Sequence, residues 1–260
     1  IRRNFPYLSE QVVAVVHPRR CGWFSAQQLG MLMLERAQAA GASLVQASLE
    51  AVEVRDGRVE AIRLGAGAAP ARVLTEHLVN AAGPWAGQLG EMAGVDIPIT
   101  PVRRQMVTTT PLPELPADFP FVIDFAQSLY FHREGEGLLT GMSNPDEQPG
   151  LNQNIDEEWE LTAMERAVER MPMLAHAGRQ GHWAGLYEVT PDAHPIFGGS
   201  PVEGFWIVAG FSGHGFMHGP IAGKLMAEFV LEGRARTVDV SSLDLARFQE
   251  GRLIQEYNVV

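Results

Sequence analysis

Six residues, Gly210-Phe211-Ser212-Gly213-His214-Gly215, follow the apolar run Phe205-Trp206-Ile207-Val208-Ala209 and precede a segment with Ile221, Leu225, Met226, Phe229 and Val230 on one helical face. Strand, glycine turn and helix in that order build an anion-tolerant site. The glycines let a ligand approach the main chain, and the first amides of the helix are unpaired and carry partial positive charge. The spacing Gly210, Gly213, Gly215 is not that of the dinucleotide fingerprint G-x-G-x-x-G, which also needs an acidic residue about 20 positions downstream. Taken alone, such a turn is structural more often than it is ligand-binding.

Other chemistry-bearing residues give less. None of the eight histidines forms an i, i+4 pair beside a carboxylate in a metalloprotease pattern, and His214 and His218 flank glycines, so no metal site is expected. Arg103-Arg104 could steer an anion but reads better as a solvated charge run. In Thr190-Pro191-Asp192 the aspartate reads as a turn residue, and a carboxylate buried there would need donors. Tyr130-Phe131-His132-Arg133 has period-two alternation, with Tyr130 and His132 on one face and Phe131 and Arg133 on the other; periodicity alone leaves open which pair faces a ligand.

The elements that position these residues fall into two styles. Residues 25–40 have helical spacing, with Ser25 as N-cap and Gly41 as stop. Alternating runs at 43–54 and 58–64 meet at Asp56-Gly57, a hairpin dipeptide. A loop rich in alanine and glycine leads to 72–82, read as a buried strand running into the turn at Gly83, with a helix over 85–94. Prolines are dense between Pro98 and Pro120, which excludes helix there. Strand candidates at 105–110, 121–124, 128–132 and 137–142 read as antiparallel, followed by an amphipathic helix within 152–170 that carries Trp159, Leu161, Met164 and Val168 on its core face and stops at Pro172. The last third, with a strand at 205–209 and a helix at 220–231, returns to the first style. The fold expected is mixed α/β with an inserted antiparallel sheet.

At 260 residues and 46% hydrophobic, the chain can bury one large core or two small ones. A net charge of −11 with scattered basic residues excludes a nucleic-acid partner. The single cysteine, Cys21, excludes an internal disulfide and points to a reducing compartment, so a cytoplasmic location is expected. No apolar run is long enough for a membrane span, so no membrane partner is expected.

Three blocks occur together: Asn80-Ala81-Ala82-Gly83-Pro84-Trp85; the segment 185–198, Gly185-Leu186-Tyr187-Glu188-Val189-Thr190-Pro191-Asp192 and on to Gly198; and the glycine turn extended to Phe216-Met217. In that order they resemble the D-amino-acid-oxidase-like flavoproteins, on the sarcosine oxidase beta subunit and glycine oxidase branch. The resemblance implies a FAD domain of the glutathione-reductase type at 25–96 and 186–235, interleaved with an antiparallel-sheet substrate domain at 1–24 and 97–185, and a C-terminal tail at 236–260. The family's N-terminal βαβ unit, with its G-x-G-x-x-G turn for the FAD pyrophosphate, has no counterpart here. An upstream segment of roughly a hundred residues, the size of a small domain, is therefore expected to precede Ile1 or to be supplied by another subunit.

The resemblance places the main chain of Leu49 near the adenine, and Ala82, Gly83 and Trp85 beside the cofactor. It aligns Gly185, Gly210, Ser212, Gly213, His214, Gly215, Phe216 and Met217 with the flavin-facing part of the site. Tyr130, His132, Tyr187 and His214 are the catalytic candidates, with His214 read as a flavin-side turn residue rather than a base. In covalently flavinylated relatives a cysteine stands where this chain has Gly185, so FAD is expected to be non-covalent. A lysine that assists oxygen activation in relatives falls near Leu139, and one that binds the substrate carboxylate falls at Met217. Both positions are apolar here, which favours a dehydrogenase with another electron acceptor over an oxidase. The activity implied is oxidation of the C–N bond of a small secondary or tertiary amino acid; the alternative is a non-catalytic part that needs a FAD-domain partner.

Overall fold

The computed structural model describes residues 1–65 and 71–256. The loop rich in alanine and glycine falls on 66–70, outside the described residues. In chain order the elements are α1 (Ala26–Ala39), β1 (Ser48–Arg55), β2 (Arg58–Gly65), β3 (Ala71–Leu74), β4 (Leu78–Asn80), α2 (Ala86–Met92), β5 (Thr100–Thr109), β6 (Val122–Asp124), β7 (Leu129–Glu134), β8 (Gly137–Met142), α3 (Glu157–Arg170), β9 (Arg179–Val189), β10 (Ile196–Gly199), β11 (Phe205–Ala209), α4 (Gly215–Glu232) and α5 (Ala246–Gln249). They fall into two compact units: residues 1–24 with 102–186, and residues 25–101 with 187–256 among those described.

In the first unit a five-stranded sheet has the order β6-β7-β8-β5-β9, with β6, β7, β8 and β5 antiparallel in turn. Period-two alternation sends Leu129, Phe131, Leu138 and Met142 to one face, where they pack with Ala167 of α3 and with Met171 and Leu174 just after it. Asp156 caps α3 by accepting the Trp159 amide at 3.0 Å, and the Trp159 indole N–H donates to the Met142 carbonyl at 3.0 Å, tying helix to sheet.

In the second unit Ser25 caps α1 by accepting the Gln28 amide, and the helix ends before Gly41 at φ 102°. Asp56 and Gly57 have φ of 49° and 78°, the pair of positive angles that a two-residue hairpin of matching twist requires, so β1 and β2 pair antiparallel. A second sheet has the order β10-β11-β4, with β11 antiparallel to β10 and parallel to β4. Strand β11 is covered on both faces. Phe205, Ile207 and Ala209 enter a core with Val52, Ala86 and Ile196, while Trp206 and Val208 pack with Leu225 and Met226 of α4. Phe205 and Ile207 are fully buried, each worth roughly 1.5–3 kcal/mol relative to exposure.

The structure revises several sequence expectations. Residues 43–47 are not strand, since β1 starts at Ser48. The single strand expected over 72–82 is two, β3 on the hairpin sheet and β4 on the other, separated by Thr75, whose hydroxyl donates to the His77 carbonyl and so turns the chain. Helix α4 starts at Gly215 rather than Pro220; Pro220 lies inside it, beyond the first four residues whose N–H groups have no intrahelical partner, and has no N–H to donate to the Phe216 carbonyl four residues back. Strand β9, eleven residues long, has no clear alternation and was not expected. Arg103 is not solvated: its side chain is 11% exposed and forks onto Glu147 and the Asn154 carbonyl. Residues 236–256, expected as a tail, belong to the second unit, because Arg247 is wholly buried there.

Candidate cofactor site

Two glycine turns lie side by side in the second unit because their strands are parallel neighbours. β4 ends at Asn80 and runs into the short 3-10 turn Gly83–Trp85; β11 ends at Ala209 and runs into Gly210 and α4. The carboxyl ends of adjacent parallel strands are where open α/β sheets hold nucleotide cofactors. Asn80, fully buried, shapes the first turn: its amide donates to the Ala86 carbonyl at 2.9 Å and its side-chain oxygen accepts the Ala82 N–H at 3.2 Å.

The second turn is wound through left-handed backbone, with φ of 83° at Gly210, 52° at Ser212 and 101° at Gly213. Strand β9 holds it. The Glu188 side-chain oxygen Oε1 accepts the Phe211 amide at 3.2 Å. The Glu188 carbonyl accepts the Ser212 amide, and the Ser212 hydroxyl accepts the Thr190 amide at 3.2 Å. Ser212 is 1% exposed, so its side chain is spent on this lacing and only its main chain remains for a ligand. Gly213 is in contact with Tyr187: a Cβ there would lie 2.6 Å from the ring.

Helix α4 opens on His214, which makes no side-chain capping bond, so its first amides have no side-chain acceptor at the N-cap. Between the two turns and this helix is a cavity of about 330 Å³, bordered by Ala81, Gly83, Glu188, Phe211, Gly219 and Gly223. Gly219 and Gly223 stand one helical turn apart with open space where side chains would be, so a ligand can lie against the helix backbone. Trp85 and Phe216 are partly exposed and Met217 is two-thirds exposed. Leu49 on β1 and Ala82 pack against the core below.

Sequence reasoning missed Glu188 as a site residue. Burial pushes its carboxyl above the usual range, and the Phe211 and Gly210 amides only partly oppose this. Its second oxygen, Oε2, is closed off from solvent and has no hydrogen-bond partner, a condition that costs about 1–3 kcal/mol in a folded protein. An acidic residue inside the block 185–198 was the available signal. The neighbouring Asp192 has the donors a buried carboxylate needs: Arg247 through two nitrogens at 2.8 and 2.9 Å, and the His194 and Ile254 amides.

The other candidates lie in the first unit. Tyr130 and His132 share the sheet face opposite α3. Tyr130 faces Gly141 across the strands, and the missing side chain there leaves room for its ring. His132 stacks with Trp23 at 4.6 Å and Phe121 at 5.7 Å between ring centroids, and Phe121 also meets Tyr130 at 5.9 Å. The His132 Nδ1 lies 2.9 Å from the Arg133 carbonyl; a carbonyl only accepts, so Nδ1 carries the proton and Nε2 of the neutral ring keeps its lone pair. Gly185 on β9 has open space around it.

A mixed α/β protein with two glycine turns at the ends of parallel strands, and between them a cavity bordered by glycines of the following helix, belongs to the class of nucleotide-cofactor proteins. The FAD dependent oxidoreductase (DAO) family matches over residues 1–229, and the chain belongs to that family, whose cofactor is FAD. It is 34% identical over 202 residues to mouse FAD-dependent oxidoreductase domain-containing protein 1, covering 70% of this chain and 41% of that protein. It is 31% identical over 196 residues to mouse mitochondrial dimethylglycine dehydrogenase, covering 68% of this chain and 22% of the relative. Among solved structures it matches L-proline dehydrogenase from P. horikoshii with a TM-score of 0.80 and 27% identity, over 88% of this chain and 61% of that one. The chain thus spans well under half the length of these two curated relatives. The cavity, the glycine-lined helix face and the unpartnered Glu188 oxygen fit a FAD molecule approaching the two turns.

Proposed function

We propose that the protein oxidises the C–N bond of a small secondary or tertiary amino acid of the sarcosine, dimethylglycine or proline kind, with FAD held non-covalently. The observation that carries this reading is the laced turn at 210–213 ahead of α4, in a chain 31% identical to a dimethylglycine dehydrogenase and similar in fold to an L-proline dehydrogenase. When bound, FAD supplies the two-electron acceptor that takes hydride from the carbon beside nitrogen.

The main chain of Gly213 and the first amides of α4, from Gly215 to Met217, hold the flavin edge where negative charge develops on reduction, a role that needs no titratable side chain. Gly83 and Trp85 border the cofactor from the other turn, and Leu49 offers main-chain contacts to the adenine. Tyr187 fixes the turn through Gly213. On the substrate side, His132 offers the Nε2 lone pair to an amine N–H, and Tyr130 offers its ring to the alkyl groups. Apolar Leu139 and Met217 favour a dehydrogenase with a separate electron acceptor over an oxidase.

The test is anaerobic reduction of the full gene product by sarcosine, dimethylglycine, proline and D-alanine, followed by flavin absorbance. Bleaching by one of the first three is expected, with slow reoxidation by oxygen and fast reoxidation by an artificial acceptor. A preparation without flavin absorbance, or bleaching by D-alanine alone, overturns the proposal. One observation supports a second reading, a chain that works beside a FAD-domain partner: α1 has no buried residue although Met31, Leu32 and Met33 are exposed on it.

A further inference from the structure

Glu188 uses only half of its carboxyl to brace the 210–213 turn. Oε1 takes the Phe211 amide, while Oε2 is closed off from solvent without a partner. Glu188 and Gly83 border the same cavity, and the Cβ that Gly83 lacks would sit 3.2 Å from Oε2. The lining beyond is smooth: Gly219 and Gly223 leave the α4 backbone open to the same space. Bracing the turn through Oε1 does not account for a second, buried oxygen that has no partner and lies beside the open position at Gly83.

We propose that Glu188 is a cofactor-contacting neutral acid, whose Oε2–H donates a hydrogen bond to an acceptor atom of bound FAD across the opening left by Gly83. This rests on the reading of the cavity as the FAD site. The groups that act on the carboxyl are burial, which favours the protonated form, and two amides that only partly oppose it. Charge argues the same way: an ionised carboxylate beside the turn would oppose the negative charge that the flavin edge takes up on reduction and has no proton to donate, whereas the neutral acid donates to an acceptor. One side chain would then both set the flavin-facing turn and read the cofactor, so that turn geometry and cofactor occupancy are coupled.

The experiment uses the full gene product, freed of flavin, as wild type, Glu188→Gln and Glu188→Ala. FAD affinity is read from flavin fluorescence quenching, folding of the apo-proteins from circular dichroism, and the acid itself from infrared difference spectra on FAD addition. Glutamine keeps the Oε1 acceptor and puts N–H donors where the acid O–H stood, so its affinity is expected within about threefold of wild type, while alanine is expected to bind at least about tenfold more weakly. Wild type should show a protonated-carboxyl band that shifts on FAD binding and is missing from Glu188→Gln. A folded Glu188→Ala protein with wild-type affinity, a glutamine variant as weak as alanine, or no such band each overturns the proposal. If the alanine variant does not fold, the glutamine and infrared results decide. Wild-type protein that takes up no FAD overturns the cofactor reading itself, and this proposal with it.

Discussion

Gly213 is the position where the smallest change should do most damage. It has φ 101°, and a methyl group on it would lie 2.6 Å from Cε2 and 2.9 Å from Cζ of Tyr187. A ring wedged beside a turn cannot swing away as the end of a lysine would. The backbone conformation costs a non-glycine residue roughly 1–3 kcal/mol, and overpacking against the ring adds roughly 1–3 kcal/mol. Gly213→Ala should therefore remove about 2–6 kcal/mol, a large share of the ~5–15 kcal/mol that holds a typical domain. A double-mutant cycle separates the two causes. In a Tyr187→Ala background the strain stays and the clash goes, so the same substitution should cost only about 1–3 kcal/mol. Urea unfolding of the four apo-proteins, followed by circular dichroism, measures both legs. Equal costs in the two backgrounds, within about 0.5 kcal/mol, would refute the claim that the ring rests on Gly213.

Arg247→Leu leaves Asp192 buried without its main partner and should cost about 3–5 kcal/mol in the same unfolding assay; a loss under about 1 kcal/mol would contradict the geometry. Burial acts to raise the Asp192 carboxyl, but the Arg247 fork and the Ile254 and His194 amides overcome it and hold it at about 2. Its folded value lies below the unfolded one, so the stabilisation of about 2 kcal/mol is present above pH ~4 and fades as pH falls toward ~2. Acid titration of wild type, set against Asp192→Asn, should show a stability gap of about 2 kcal/mol that holds from neutral pH down to ~4 and closes as pH falls toward ~2. Gly141→Ala would bring a methyl 2.5 Å from the Tyr130 hydroxyl and 3.0 Å from the Gln105 carbonyl, so it should displace Tyr130 and raise KM for the amine while leaving FAD affinity unchanged. An altered FAD affinity with unchanged KM would assign Tyr130 elsewhere.

Where local chemistry decides an element, the sequence reveals it. Ser25 and Gly41 bound α1, Asp56-Gly57 sets the hairpin, and the apolar stripe of Trp159 to Val168 marks α3. Strand β9 was illegible because its residues are half-buried on both faces, leaving no alternation to read. The start of α4 was misread because its proline falls inside the helix rather than at its first position. In the site, the glycine turns were visible as spacing, but the lacing that makes one of them rigid was not. Glu188 meets Phe211 across 23 residues and Arg247 meets Asp192 across 55, and neither partner carries a local mark of the other.

The pairing of β4 with β11 sets a waiting time during synthesis. Leu78 emerges long before its partner Phe205, and the buried Arg247 comes later still. At ~5–20 residues per second, the half of this unit made first stands incomplete for roughly ten to thirty seconds. Throughout that interval its strand edge and apolar face await a mate. Slower synthesis between residues 80 and 205 lengthens that exposure in proportion, and with it the time in which an unpaired strand edge can meet another chain.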